Sequence, residues 1–479
     1  MKKTIYIIIG VFALTSLAGC GLYKKYERPE INVDGLVRDT ARTDVVLPAS
    51  ADTTNFGDVA WQEVFTDPQL QELIRLSLEK NFDLLKAAEN VKMAEAQLKS
   101  ARLAFLPSFS FRPTGSLSKV LSGPNRDEDM SRTYDLPLMA TWNVDLFGNL
   151  LSQNRSSKAA LIASKDYQQA VRSRVICGVA NTYYTLLLLD RQLEILDEME
   201  KITKENWDMM KLQKELRGAR ETAVVSAQAA HLNVKSQKID MLRQIRETEN
   251  TLSLLLGQPA HSMGRGRLAD QQLPSTFATG VNIKLFSNRP DVHAAEMNLA
   301  QCFYNIQTAR SKFYPALSIG SGQATGLFTF TQAATGNEVN PAYWLFNAVA
   351  TLTQPIFQNG KLVAGLKVAK SKYQQAYYDW EYSILSAGSE ISNALTLYNS
   401  SNQKGIVDRE RVEVLTKNVD YTRDLYKMGS STYLEVITAQ QNLLNAEINQ
   451  AADDFNKMQA VINLYSALGG GRELAQARN

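Results

Sequence analysis

The chain has 479 residues, 52 of them basic and 49 acidic, with 44% apolar and 21% charged side chains. That length suggests two or three ordinary domains, and without Lys2 and Lys3 the 52 basic residues become 50 against 49 acidic ones. Near neutrality argues against a nucleic-acid partner, which requires a clustered basic face.

Residues 1–19 read as an export signal, with Lys2 and Lys3, an apolar run from Ile5 to Leu14, then small residues. The signal ends in Leu17-Ala18-Gly19-Cys20, which resembles the lipobox of bacterial lipoproteins. That resemblance implies acylation of Cys20, each buried methylene contributing about 0.8 kcal/mol to membrane anchoring. It also places residues 20–66 as a lipidated N-terminal segment, and Gly21 lacks the aspartate that retains some lipoproteins in the inner membrane. The competing reading is an ordinary signal with an incidental cysteine. Beyond the signal no run of about eighteen apolar residues occurs, so no transmembrane helix is expected.

The next elements occur twice. "NFDLLKAAENVKMAEAQLKSARLAFLPSFSF" from Asn81 aligns without gaps to "RPDVHAAEMNLAQCFYNIQTARSKFYPALSI" from Arg289. Farther on, Leu146-Phe147-Gly148 is echoed by Ile356-Phe357 and Gly360, and Gly218 by Gly429. Internal duplication is therefore the first feature of the fold, with repeats at 67–280 and 281–471 and a tail at 472–479.

Each repeat opens with a short helix. Asp67 supplies an N-cap and Pro68 the first helical position, and Pro290 plays a similar part in the second repeat. Two period-two stretches follow. From Phe105 to Ser118 the odd positions are mostly apolar and the even ones mostly polar; from Tyr134 to Leu146 the even positions are apolar. "SGPNRDEDMS" and, in the second repeat, "TQAATGNEVNPA" read as the intervening loops, with the second strand pair near 317–328 and 346–354.

The period then becomes helical. Val171, Val175, Val179, Tyr183, Leu186, Leu189, Leu193 and Leu196 step by threes and fours, and Leu444 to Tyr465 carries a strict heptad seam. Gly218 and Gly429 are the strong interruptions, so each repeat predicts a long helical hairpin turning there. At about 1.5 Å per residue, the arm from Leu151 to Arg217 would reach roughly 100 Å.

Strands with one apolar and one polar face can meet lipid on one side and water on the other. In hydrocarbon every backbone group must be paired, so such a sheet must close. Four strands are too few, which points to a barrel shared between copies. Two copies would give about eight strands and a barrel filled by side chains; three would give about twelve and room for water. The different-class alternative is a lipid-anchored structural or binding lipoprotein with a soluble sandwich and a periplasmic coiled coil.

At this point the chain resembles the TolC-like outer membrane factors, in their lipoprotein branch serving tripartite RND-type efflux pumps. Tyr26-Glu27-Arg28-Pro29, the helix signature "WQEVFTDPQLQELIRLSLEKNFDLLKAAENV" from Trp61, "LLGQPA" at 255–260 and "LYSALGGG" at 464–471 carry the resemblance in order. It implies a mainly α-helical chain whose homotrimer forms a 12-stranded outer-membrane β-barrel continued by a periplasmic α-helical tunnel, acting as a passive channel. It further implies a periplasmic adaptor (membrane fusion protein) and an inner-membrane RND-type transporter as partners. The adaptor-contact tips map onto Arg217, Gly218, Met428 and Gly429. The periplasmic gate maps onto Tyr426 as a tie and Glu435 as an acidic ring position. Thr438 stands where many relatives carry a second acid, and Ser431 where some carry an arginine.

No enzyme or metal signature is present, and no cofactor is expected apart from the covalent lipid on Cys20. His231, His261 and His293 are far apart, and Cys177 and Cys302 read as small buried side chains in separate helices, with a disulfide in an oxidising periplasm as the alternative. Gly320-Ser321-Gly322 falls in an expected strand and reads as a barrel kink or small-residue face rather than a phosphate loop.

Overall fold

The computed structural model describes residues 24–31, 36, 56–119, 130–216, 218, 220–271, 289–321, 326–335 and 338–472. The export signal, Cys20, Arg217, Gly322 and most of the charged loop at 122–131 lie outside them. The chain divides into two compact units, one from residues 1–30, 90–165 and 294–381, the other from 31–89, 166–293 and 382–479. Each unit takes a piece of both repeats.

The duplication is visible in element lengths. In the first repeat α1 (Pro68–Lys80) leads to α2 (Phe82–Leu103), and after the strands come α3 (Asn149–Glu215) and α4 (Glu221–Leu255). In the second, α5 (Pro290–Ser311) precedes the strands, and α6 (Lys361–Lys427) and α7 (Tyr433–Ala467) follow. α2 and α5 each have 22 residues, α3 and α6 each 67, α4 and α7 each 35.

The strands, all in the first unit, form one antiparallel sheet. β1 (Ser108–Phe111) and β2 (Thr114–Lys119) form one edge against β3 (Met130–Val144). On its other side β3 pairs with β4 (Ala316–Gly320) and β5 (Phe328–Thr335). These pair in turn with β6 (Glu338–Val339), β7 (Tyr343–Phe346) and β8 (Val349–Thr353). Functionally these are four long strands in sequence order. The first and last use only one side for pairing among the described residues.

Alternation gives this sheet its faces. Register puts Phe111, Leu138, Phe328 and Phe346 in one cross-strand row, with the last two rings 5.1 Å apart. All four are exposed, as are Phe109, Leu136 and Trp344. On the opposite face the Thr331 hydroxyl donates to Asp135 at 2.7 Å, joining neighbouring strands by a polar pair.

Both helix-to-strand corners are tied alike. After α2 the chain makes a tight turn before Pro107, and the Trp142 indole donates to the Phe105 carbonyl at 2.9 Å. At the corresponding corner the Gln354 amide donates to the Phe313 carbonyl at 3.1 Å. In the same unit the Tyr26-to-Pro29 segment is held by Arg28, whose Nε lies 2.9 Å from Glu296, and by Tyr26, which packs edge-on to Phe303.

Three strand expectations need correction. The first strand starts at Ser108, since Phe105 and Leu106 still belong to the helix-ending turn. The third strand is interrupted: β4 ends at Gly320 and β5 resumes at Phe328, running through the residues read as a loop. The interruption falls opposite a short stretch of β3, where Ser321 donates to the Ala140 carbonyl and Leu327 to that of Leu138. Glycine is required beside it, since a Cβ on Gly320 would lie 2.1 Å from the Ala140 oxygen. The fourth strand is likewise split, at 343–346 and 349–353.

In the helical unit, Asp67 accepts from the Gln69 amide at 2.8 Å with Pro68 at the first helical position, as the motif predicts. The same carboxylate accepts from the Tyr183 hydroxyl at 2.6 Å and the Gln271 amide at 2.9 Å, while Tyr183 accepts from the Gly266 amide at 3.1 Å. Helix-end carbonyls left over by the α-helical pattern are also satisfied. Asn81 and Ser77 donate to the Leu255 carbonyl, and in the second repeat Arg289 donates to that of Ala467. The α7 heptad residues Leu444, Ala451, Phe455, Ile462 and Tyr465 are buried.

Tyr183→Phe removes the hydroxyl that joins the Asp67 cap to Gly266. Leaving buried polar groups unpaired costs about 1–3 kcal/mol, so the variant should unfold at a lower temperature by circular dichroism in detergent. An unchanged midpoint would contradict this assignment.

Candidate functional site: the hairpin tips

The two hairpin ends are built alike. At α6 the Ser430 amide donates to the Leu425 carbonyl at 2.9 Å, with Gly429 at φ 76°, a left-handed helix-ending turn that glycine adopts without a Cβ penalty. At α3 the matching bond runs from the Gly218 amide to the Gln213 carbonyl at 2.8 Å. Gly218 therefore corresponds to Ser430 rather than to Gly429, a one-residue correction to the repeat register.

A shared apolar cluster joins the ends of both hairpins. Met210 on α3, Val224 and Ala227 on α4, and Tyr433, Val436 and Ile437 on α7 are buried together. Tyr426, in the last turn of α6, lies at its edge, its ring 5.8 Å from that of Tyr433. Its hydroxyl donates to Gln213 Oε1 at 2.7 Å, tying the second hairpin to the first within one chain. Burial, reinforced by neighbouring Tyr426, pushes the Tyr433 phenol up to about 12. One level farther from the tip, buried Asn206 on α3 donates to buried Gln440 on α7 at 3.0 Å.

Glu435 is arranged differently. It lies in the first turn of α7, accepting from the hydroxyls of Ser431 and Thr432, the latter at 3.1 Å. Those bonds, Ser431 foremost, hold its exposed carboxyl below the usual range. Thr432 and Glu435 have the spacing of a capping box, in which the acid reaches back over the helix start. Thr438 turns its hydroxyl onto the Leu434 carbonyl of its own helix.

Of the residues singled out from sequence, Tyr426 and Glu435 thus flank one turn but bond to different partners. Met428 is 70% exposed in that turn, and a Cβ on Gly429 would meet nothing within 4 Å, so the turn's outer side is open. Gln213, Tyr433, Asn206 and Gln440 escaped the sequence reading. Their signal was a heptad seam interrupted by polar residues, as at Met199, Thr203, Asn206, Met210 and Gln213.

The remaining reactive side chains are dispersed. His231 stacks on Trp207, His261 bonds the Pro259 carbonyl, and His293 pairs with Asp166 at 2.6 Å. Cys177 and Cys302 are free thiols, and burial pushes that of Cys177 up to about 12. Among the described residues no three His, Cys, Asp or Glu side chains are grouped to hold a metal, and no helix is long and apolar enough to cross a membrane.

The family model described as "Outer membrane efflux protein" matches residues 73–258 and 284–470. The chain is 28% identical over 466 residues to the cation efflux system protein CusC of Escherichia coli O157:H7, covering 95% of this chain and 96% of the relative. It is also 28% identical over 439 residues to the pyoverdine export outer membrane protein OpmQ of Pseudomonas putida KT2440, covering 88% and 90%. The fold matches the crystal structure of the Campylobacter jejuni CmeC outer membrane channel with a TM-score of 0.81 at 21% identity, over 95% of this chain and 96% of that one. At that coverage the match takes in both repeats, strands and helical hairpins alike. The chain accordingly belongs to the outer membrane efflux protein family: it is an outer-membrane exit duct of an efflux system, a passive channel and not an enzyme.

Proposed function

We propose that three copies of this chain close a single barrel of about twelve strands, and that their hairpins continue it as a tunnel through the periplasm. The observation carrying this reading is the four-strand sheet itself, with an exposed aromatic face and two edge strands that, among the described residues, are unpaired on their outer sides. A polar pair such as Thr331 and Asp135 on the other face suits a water-filled interior. The anchor is an acyl-modified Cys20 in the outer membrane.

The hairpin tips at Arg217, Gly218, Met428 and Gly429 contact a periplasmic adaptor, which joins the duct to an RND-type inner-membrane transporter. Exposure of Met428 and the open turn at Gly429 support this. Relatives of near-equal similarity carry names for cation efflux and pyoverdine export. Such divergence at similar identity fits a duct whose cargo is chosen upstream.

Tyr426 and Glu435 form the gate. The Tyr426–Gln213 bond ties the second hairpin to the first, so breaking it frees the end of α6. In a trimer three Glu435 carboxylates surround the axis and favour cations. Glu435→Gln keeps the capping reach, which glutamine also makes, but removes the charge. In planar bilayers with a salt gradient its reversal potential should move toward zero; an unchanged potential would remove the ring. Glu435→Ala should also accelerate amide exchange at 432–436, and exchange equal to that of wild type would contradict the capping role.

A further inference from the structure

In the strand-bearing unit one seam between the repeats is made within the chain, and an equivalent second seam is left open. At the closed seam the end of β3 runs beside the start of β4, with Val144 opposite Leu317. Just past it Phe147 stacks on Tyr314, ring centroids 5.0 Å apart, and both side chains are partly buried. The helices continue the contact. Ser156 on α3 donates to Asn305 Oδ1 on α5 at 3.0 Å. Ser152, Ser156, Ala159 and Ala163, spaced by fours and threes along one face of α3, are all buried.

The duplication says which residues would make the same seam once more. The gapless match of Asn81 onto Arg289 sets Leu106 opposite Tyr314 and Gln97 opposite Asn305. Phe357 echoes Phe147, and α3 and α6, equal in length, set Ala364, Val368, Ser371 and Gln375 opposite the four buried residues of α3. This second set is bare. Ile356 is 96% exposed, Phe357 81%, Leu106 60% and Val368 54%, and Ala364, Ser371, Gln375 and Gln97 are exposed as well. Leu103 on α2 is exposed too, whereas Ser311, its counterpart on α5, is buried. Large apolar side chains held out in water mark a surface that another one covers.

We propose that the occupant is a second copy of this chain: Ile356, Phe357 and the root of α6 in one copy dock onto Leu106 and α2 of the next. The contact repeats between copies the seam that Phe147, α3 and α5 make within one. It presupposes the trimer proposed above and specifies which residues meet in it. Phe357 covers Leu106, and Val368 lies against Gln97. The backbone follows in register: as Val144 faces Leu317, so Gln354, just past β8, faces Phe109 in β1 of the next copy. Polar Gln97, Ser371 and Gln375 among the apolar residues suit a helix face rather than lipid, just as Ser156 meets Asn305 within the chain. The two docking faces differ, so the interface is heterologous and covers every such face only when the copies close as a ring. Seams within chains then alternate with seams between them.

The test is cysteine cross-linking of the full chain in outer membranes. Leu106→Cys with Phe357→Cys, and separately Gln97→Cys with Val368→Cys, are treated with a short bismaleimide and run on a denaturing gel. Light scattering in detergent gives the mass of the same preparations before denaturation. Phe147→Cys with Tyr314→Cys is the control, which should link within one chain and run as a monomer. Both seam pairs should yield covalently linked trimer, and each single cysteine should lose it. Trimer mass with both pairs unlinked would mean that lipid or a different protein covers this face; it would overturn the seam and leave barrel closure standing. Monomer mass would overturn both.

Discussion

Everything in this chain is subordinate to one constraint: a backbone hydrogen-bonding group in hydrocarbon has no water to turn to. The sheet formed by β1 to β8 meets that constraint internally and fails it at both ends, because its first and last long strands present unpaired edges among the described residues. Its exposed aromatic face would be a liability in water and is an asset in lipid. A chain that is stable only when its edges are covered carries its oligomeric state in its fold. The long hairpins then inherit that state, since the strands and helices belong to one duplicated chain.

The duplication conserves tasks more strictly than residues. Trp142 and Gln354 tie equivalent corners through an indole in one repeat and an amide in the other. Asn81 and Arg289 both secure the last turn of a returning helix, one by a neutral amide and one by a guanidinium also paired with Asp291 and Glu390. Divergence is greatest at the tips. The second hairpin is held by the Thr432-to-Glu435 cap, whereas in the first Lys214 pairs across the turn with Glu221. The asymmetry gives the two hairpins different means of holding their ends.

Much of this was readable in advance because it rests on period and punctuation. Most heptad residues of α7 became its buried seam, Asp67 became a cap, and the prolines at 107 and 315 marked the end of each corner. What escaped depended on backbone approach or on pairing at a distance. The break in the third strand follows from Gly320 lying against Ala140, a contact between residues 180 positions apart that alternation cannot report. The one-residue slip at Gly218 arose because glycine marks a turn without fixing its position within it; the bond to Gln213 does that. At the tips, the family resemblance singled out Tyr426 but not Gln213, whose bond to it appears only with the two hairpins in space.

The central claim is that the sheet is completed by copies of the same chain. Its most direct test is the molecular mass, by light scattering in detergent, of protein extracted from outer membranes, beside a Cys20→Ala version with a cleavable signal. The account predicts a trimer in both, each still requiring detergent. A monomer that becomes water-soluble once the lipid is absent would contradict it.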